Sequence, residues 1–224
     1  MLFSLRLAAV MAAACCLAAA PPQPRPEDVG LSSERLKRIH EAVMRRVGEG
    51  MVSGAVTAVS RKGKVVHFEA HGLMDIESKK PMTKDALFHL ASTSKPVTAV
   101  AILILMEEGK LHLTDPVSKY IPEFREMKVA VKAESGEVTL VPAQRGITIH
   151  DLLTHTSGLG TGGAGNAEFQ KVMKTRQPAD TLATFIPRLG SVPLDYQPGT
   201  QWRYSGLAGF DTLGRIVEIA SGMK

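Results

Sequence analysis

Ser92 and Lys95 stand three residues apart in "LASTSKPVTAVAILILMEEGK", residues 90–110, where a small polar cluster meets one of the most apolar stretches of the chain. On a helix, residues i and i+3 share a face, so a hydroxyl and an amine at this spacing can meet. A helix N-terminus adds partial positive charge and backbone N–H groups that lack an intrahelical acceptor. Both favour an oxyanion forming at a carbonyl attacked by Ser92. Burial would help further, because desolvation disfavours the ammonium and makes Lys95 easier to deprotonate. These are the parts of a serine–lysine acyl-transfer site. The same residues also read as a plain helix cap, and the Ser-x-x-Lys spacing recurs at Ser221–Lys224.

The elements that would hold these residues can be read around them. From Pro96 to Met106 only Thr98 is polar. Eleven residues are too few to cross a membrane, and the lack of a polar face predicts a helix buried on all sides. Pro96 suits its first turn and Gly109 its end. Upstream, "PPQPRPEDVG" (21–30) is a proline-rich leader. "SSERLKRIHEAVMRRV" predicts a helix capped by Ser32 or Ser33, with Leu36, Ile39, Val43 and Val47 at helical spacing. "GAVTAVSRKGKVVHFEAHG" predicts a hairpin turning at Gly63, and "DIESKKPMTKDALF" a polar loop. Residues 111–190 read as mostly helix and loop. Within them "ITIHDLLTHTSGL" carries a capping threonine, and "LGTGGAGN" is a flexible loop. "LAGFDTLGRIVEIASG" places Leu213, Ile216, Val217 and Ala220 at helical spacing.

Composition narrows the class. With 224 residues, 44% hydrophobic and 22% charged, the chain reads as globular, neither disordered nor fibrous. The net charge of +5 is spread thin, with no basic run longer than two, which argues against a nucleic-acid partner. "MLFSLR" followed by "LAAVMAAACCLAAA" has the layout of a secretory signal over residues 1–20, so the protein is expected to be exported, periplasmic or secreted, with no transmembrane span in the mature chain. Pro21 is awkward for cleavage after Ala20, which places the cut there or a few residues away. Both cysteines, Cys15 and Cys16, lie in this segment. Ala12-Ala13-Ala14 before them is a poor match to the Leu-led box of a lipid-anchored cysteine. Cleavage after Ala20 leaves no disulfide and no thiol nucleophile, and lowers the net charge by one to +4.

"FHLASTSKPVTAVAILILMEEGKLHLTDPVSKYIPEF" closely resembles the serine β-lactamase and penicillin-binding superfamily, and is most similar to its class C-like esterases. "ITIHDLLTHTSGL", "PLDYQPGTQWRYSG" and "LGRIVEIASG" resemble further segments of that family in the right order, and the hairpin sequence fits its early strands. The likeness spans about residues 30–223. It implies a mixed α/β (α+β) fold of the β-lactamase/transpeptidase type: an antiparallel sheet flanked by helices, with an inserted all-α domain. The domain would cover 31–224, with its helical part at about 111–190. It implies Ser92 as nucleophile, Lys95 holding or accepting its proton, and Tyr204 of "WRYSG" as general base in acylation and acid toward the leaving group. A tyrosinate needs nearby positive charge, which Lys95 can supply, and the two would titrate as a pair. The implied activity is ester hydrolysis through an acyl-serine. The alternatives are β-lactam hydrolysis or D-alanyl-D-alanine carboxypeptidase activity, or, in another class, a non-catalytic binding relative. Substrates would be a small ester, β-lactam or peptide.

Two departures stand out. Gly206 occupies the third place of the family's Tyr-x-Asn segment, and nothing in the chain matches its Lys-Thr-Gly or His-Thr-Gly strand. The sequence is therefore expected to be the N-terminal part of a longer protein, with C-terminal strands missing and half an oxyanion hole. No cofactor and no metal are expected. "GLGTGG" and "GTGGAG" fit Gly-x-Gly-x-x-Gly but follow a helical pattern where a dinucleotide site needs a strand. "HFEAH" (67–71) is His-x-Glu-x-His on a predicted strand, a poor zinc signature. The nucleophile elbow Gly-x-Ser-x-Gly is absent.

Overall fold

A computed structural model describes residues 24–223, divided into one unit up to His89 and a second from Leu90. The signal-like segment 1–20, with Cys15 and Cys16, lies outside the described residues.

In the first unit, helix α1 (Ser33–Gly48) starts at Ser32, whose Oγ accepts the Arg35 N–H at 3.3 Å. Its apolar stripe packs toward strands β1 (Gly54–Arg61) and β2 (Lys64–Asp75), yet none of its residues is fully buried. The strands pair antiparallel, with Ala55 opposite His71 and Thr57 opposite Glu69. Lys62 and Gly63 join them with φ of 51° and 71°, the left-handed pair whose twist suits a two-residue hairpin. The expected polar loop holds a short strand β3 (Lys80–Pro81), paired to Leu73 and Asp75. Two residues, one of them proline, carry no readable strand pattern.

The second unit is built on helix α2 (Lys95–Glu107), entered through a 3₁₀ turn at Ala91–Ser94. Pro96 lies in its first turn, as its fixed φ favours. At the other end Gly109, at φ 70°, lets the Lys110 N–H reach Leu105 O at 2.9 Å and its own N–H reach Met106 O at 3.0 Å, a Schellman closure. Among the described residues α2 is buried on one side and not all round. Ile102 and Leu105 are buried, whereas Val97, Val100 and Ile104 are 70%, 54% and 48% exposed. Helix α6 (Ala208–Ser221) lies along its buried side. Hydropathy reports residue type, not how many faces find a partner.

Residues 111–190 contain more than helix. Strands β4 (Lys128–Lys132) and β5 (Val138–Pro142) form a hairpin, and Val129 also bridges Leu194. The helices are short: α3 (Ile149–Leu153), α4 (Asn166–Lys174) and α5 (Leu182–Phe185). Thr148 caps α3 in a reciprocal box with Asp151. The glycine loop is pinned rather than loose: the Asp195 carboxylate accepts the Thr161 N–H at 2.9 Å, its hydroxyl at 2.6 Å and the Gly165 N–H at 2.7 Å. The core gathers Ile102, Phe124, Ile149, Phe185, Leu213 and Ile216, each side chain stabilising the fold by about 1.5–3 kcal/mol. Antiparallel sheets flanked by helices give the expected mixed class. No helix among the described residues is long and apolar enough to cross a membrane.

Candidate active site

Ser92 sits in the 3₁₀ turn, where residues i and i+3 eclipse, so Lys95 stands directly over it. Lys95 Nζ donates to Ser92 Oγ at 3.1 Å. The turn is entered through Ala91 at φ 46°, a left-handed conformation costly for a residue with a Cβ. Such strain persists only where the surroundings enforce it, and it concentrates at functional sites. The Ser94 hydroxyl stabilises this geometry by donating to Ala91 O at 2.7 Å. Ser92 thus projects beside the N-terminus of α2, where the helix dipole favours negative charge.

Tyr204 comes from the other end of the unit. Its hydroxyl donates to Ser92 Oγ at 2.7 Å, and Lys95 Nζ lies 5.1 Å from its ring centroid. The hydrogen bond with Ser92 first, and then the bond and charge of Lys95, hold the phenol below its ordinary pKa. The three residues singled out in the sequence, Ser92, Lys95 and Tyr204, therefore meet around one oxygen. They are not sealed from water: Lys95 is half-buried and Tyr204 is 46% exposed.

His155 organises this arrangement and was not singled out. It too is left-handed, at φ 58°. Its carbonyl accepts the Arg203 N–H and the Tyr196 hydroxyl, each at 3.1 Å, and its Nδ1 accepts the Ser205 N–H at 3.2 Å. The backbone is thus gripped on both sides of Tyr204. The imidazole packs on the Tyr204 ring at 4.7 Å and on Phe210 at 5.4 Å. Burial first, then the charge of Lys95, lower its pKa, so the neutral ring with its proton on Nε2 fits the bond to Ser205. Ser205 itself is buried and accepts the Gly209 N–H at 3.1 Å, tying the segment to the first turn of α6. Only the position of His155 in "THTSG" marked it in sequence, since a left-handed φ is not written in residue type.

A groove of about 1090 Å³ opens in the same unit between the β4–β5 hairpin and the glycine loop. Gln201 and Arg203 are among its walls, but Ser92, Lys95 and Tyr204 are not. Gly206 has no atom within 4 Å of where a Cβ would stand, so the place of the absent asparagine is open.

A serine and a lysine on one helical turn, faced by a tyrosine on a fold of helices and antiparallel strands, agree with the chain's likeness to known proteins. The chain belongs to the Beta-lactamase family, whose description matches residues 39–224. Esterase EstB of Burkholderia gladioli is 38% identical over 200 residues, covering 87% of this chain and 47% of that protein. Lovastatin esterase of Penicillium rubens is 31% identical over 180 residues, covering 79% and 45%. A solved structure, "EstCE1, a hydrolase with promiscuous acyltransferase activity", matches with a TM-score of 0.68 at 29% identity, over 84% of this chain and 47% of its own. The chain spans about half the length of the curated relatives it matches.

Proposed function

We propose that this chain carries the nucleophile, lysine and tyrosine of an exported serine hydrolase acting on small esters. The observation that supports it most is the convergence of Lys95 Nζ and the Tyr204 oxygen on Ser92 Oγ. Tyr204, ionised with the help of Lys95, takes the Ser92 proton as Oγ bonds to the ester carbonyl carbon. The carbonyl electron pair moves to oxygen, beside the positive end of α2. The intermediate collapses, the C–O bond to the alcohol breaks, and the departing alkoxide takes the proton from Tyr204. Water then attacks the acyl-Ser92 carbonyl, giving its proton to Tyr204. Collapse breaks the bond to Oγ, the proton returns to Ser92, and the carboxylic acid leaves.

Esters are favoured over amides because Gly206 offers no side-chain amide to hold an amide substrate. EstB and the lovastatin esterase are named for ester chemistry. Export is supported by the charged, apolar and small-residue layout of residues 1–20. A fluorophosphonate probe tests the mechanism: labelling should depend on Ser92 and vanish in Ser92→Ala. Equal labelling of both proteins, or of neither, refutes a serine hydrolase in this chain. Turnover of a short-chain nitrophenyl ester but not of a chromogenic cephalosporin would separate esterase from β-lactamase.

A further inference from the structure

The first unit contains a second cluster of chemical groups. On a strand, residues i, i+2 and i+4 share one face, so His67, Glu69 and His71 of β2 line up beneath α1, which adds His40. One ligand atom from each of His40, Glu69 and His71 lies within 4.8 Å of the others, and His40 Nδ1 is 3.6 Å from Glu69 Oε2. His71 is 3% exposed, and its Nδ1 is the one buried side-chain nitrogen or oxygen without a hydrogen-bond partner among the described residues. An orphaned buried polar atom is costly and calls for an explanation.

The surrounding hydrogen bonds indicate what that atom is. Thr57 Oγ1 touches both His67 Nε2 at 2.7 Å and His71 Nε2 at 2.9 Å, and has one hydrogen to give. His67 Nδ1 faces Glu69 Oε1 at 3.7 Å, which favours a proton on that nitrogen and leaves Nε2 to accept from Thr57. The Thr57 oxygen then accepts the Nε2–H of His71. This leaves His71 Nδ1 as a bare lone pair in the cluster. An imidazole oriented through its other N–H, with a lone pair left free, is how proteins prepare a metal-binding histidine.

We propose that His40, Glu69 and His71 form a binding site for a divalent transition metal of the zinc class, which clips α1 to β2. Two imidazoles and one carboxylate suit Zn²⁺ and leave a fourth position for water. Tetrahedral zinc sets neighbouring ligands about 3.3 Å apart, close to the 3.6 Å already present between His40 and Glu69. Rotation of those two side chains, one exposed and one half-buried, closes the rest. A clip also fits the packing of this unit: α1 has no fully buried residue, and only Val29, His67 and His71 are buried among the described residues here. "HFEAH" is a poor zinc motif by spacing alone, but the strand itself aligns His67, Glu69 and His71 on one face, and His40 is 27 residues before His67.

The test is a Zn²⁺ titration of the untagged protein against a chromogenic chelator, paired with Co²⁺ absorption and melting curves. One equivalent of Zn²⁺ should bind, raise the melting temperature, and give the intense visible bands of tetrahedral Co²⁺. His40→Ala at an exposed position and Glu69→Gln at a half-buried one should each weaken binding at least about tenfold, while His112→Ala leaves it unchanged. Thr57→Val, which frees the His71 tautomer, should weaken it less. No saturable one-equivalent binding, or unchanged affinity in both His40→Ala and Glu69→Gln, overturns the site.

Discussion

The Tyr204 hydroxyl oxygen lies 2.7 Å from Ser92 Oγ although 112 residues separate them in sequence. Two properties suit this contact to the proton transfer proposed above: Tyr204 is held below its ordinary pKa, and Lys95 donates to the same serine oxygen. Tyr204→Phe keeps the ring against His155 and beside Lys95 but removes the proposed base. The rate of fluorophosphonate labelling should fall about 10²–10⁴-fold, with the melting temperature unchanged. In the unsubstituted protein the rate should rise with pH as the phenol ionises, the rise centred below the usual tyrosine value, and Tyr204→Phe should remove that limb. Wild-type labelling by Tyr204→Phe would assign the base elsewhere.

His155 acts on Tyr204 without touching Ser92. Its left-handed backbone, its acceptance of the Ser205 N–H and its ring against Tyr204 make it a positioning residue. His155→Ala loses the acceptor and the packing and strains a positive φ, so kcat should fall by roughly 10²-fold through misplacement of Tyr204. Asparagine tolerates left-handed backbone and offers an acceptor oxygen. His155→Asn should therefore recover folding and part of kcat, with KM for a small ester little changed. Equal loss in both variants would show that the imidazole ring, not the backbone grip, sets the position of Tyr204.

What was legible in the sequence was local. Ser92 and Lys95 share one turn, Pro96 and Gly109 punctuate α2, Lys62-Gly63 turns the hairpin and Thr148 caps α3, all within a few residues of themselves. Tyr204 came only through the family resemblance, because no local pattern links it to a serine 112 residues earlier. The β4–β5 hairpin was missed although "KVAVK" and "VTLVP" flank a Gly136 turn, since five-residue strands are short against surrounding helical patterns. Distant partners decided the remainder. Asp195 orders the glycine loop from 30 residues or more away, and α6 covers one face of α2 and not the others.

Two carboxylates, Asp151 buried and Asp115 partly buried, should set the acid limit of the second unit. Burial would push Asp151 up, but Arg145 and the N–H and hydroxyl of Thr148 hold it below the usual carboxylate range. Asp115, likewise opposed by burial, is held at about 2 by Lys119, the His112 N–H and Tyr120. A depressed folded-state pKa gives stability that is complete above the unfolded value and is lost as pH falls through the folded one. Asp151→Asn should cost about 1–3 kcal/mol at neutral pH and flatten the decline below about pH 5. Urea midpoints across that range would read both effects. An unflattened acid decline would shift the dependence to other groups.

The apolar composition of α2 conceals two faces with different roles, and stability measurements can separate them. Ile102 and Leu105 are sealed in the core, while Val100 and Ile104 are about half exposed on the same helix. Truncating a sealed side chain removes its transfer energy and leaves a cavity, so Ile102→Ala and Leu105→Ala should each cost about 2–5 kcal/mol. Val100→Lys and Ile104→Lys keep their charge in water and replace β-branched residues with a better helix former. They should stay within about 0.5 kcal/mol of the parent, and solubility should rise as the apolar surface shrinks. The Ser92 labelling rate serves as control, because lysines at positions 100 and 104 lie at least two turns from Ser92. If either lysine variant unfolds as readily as Leu105→Ala, that face of α2 is covered in solution, and the all-round burial expected from its sequence is restored.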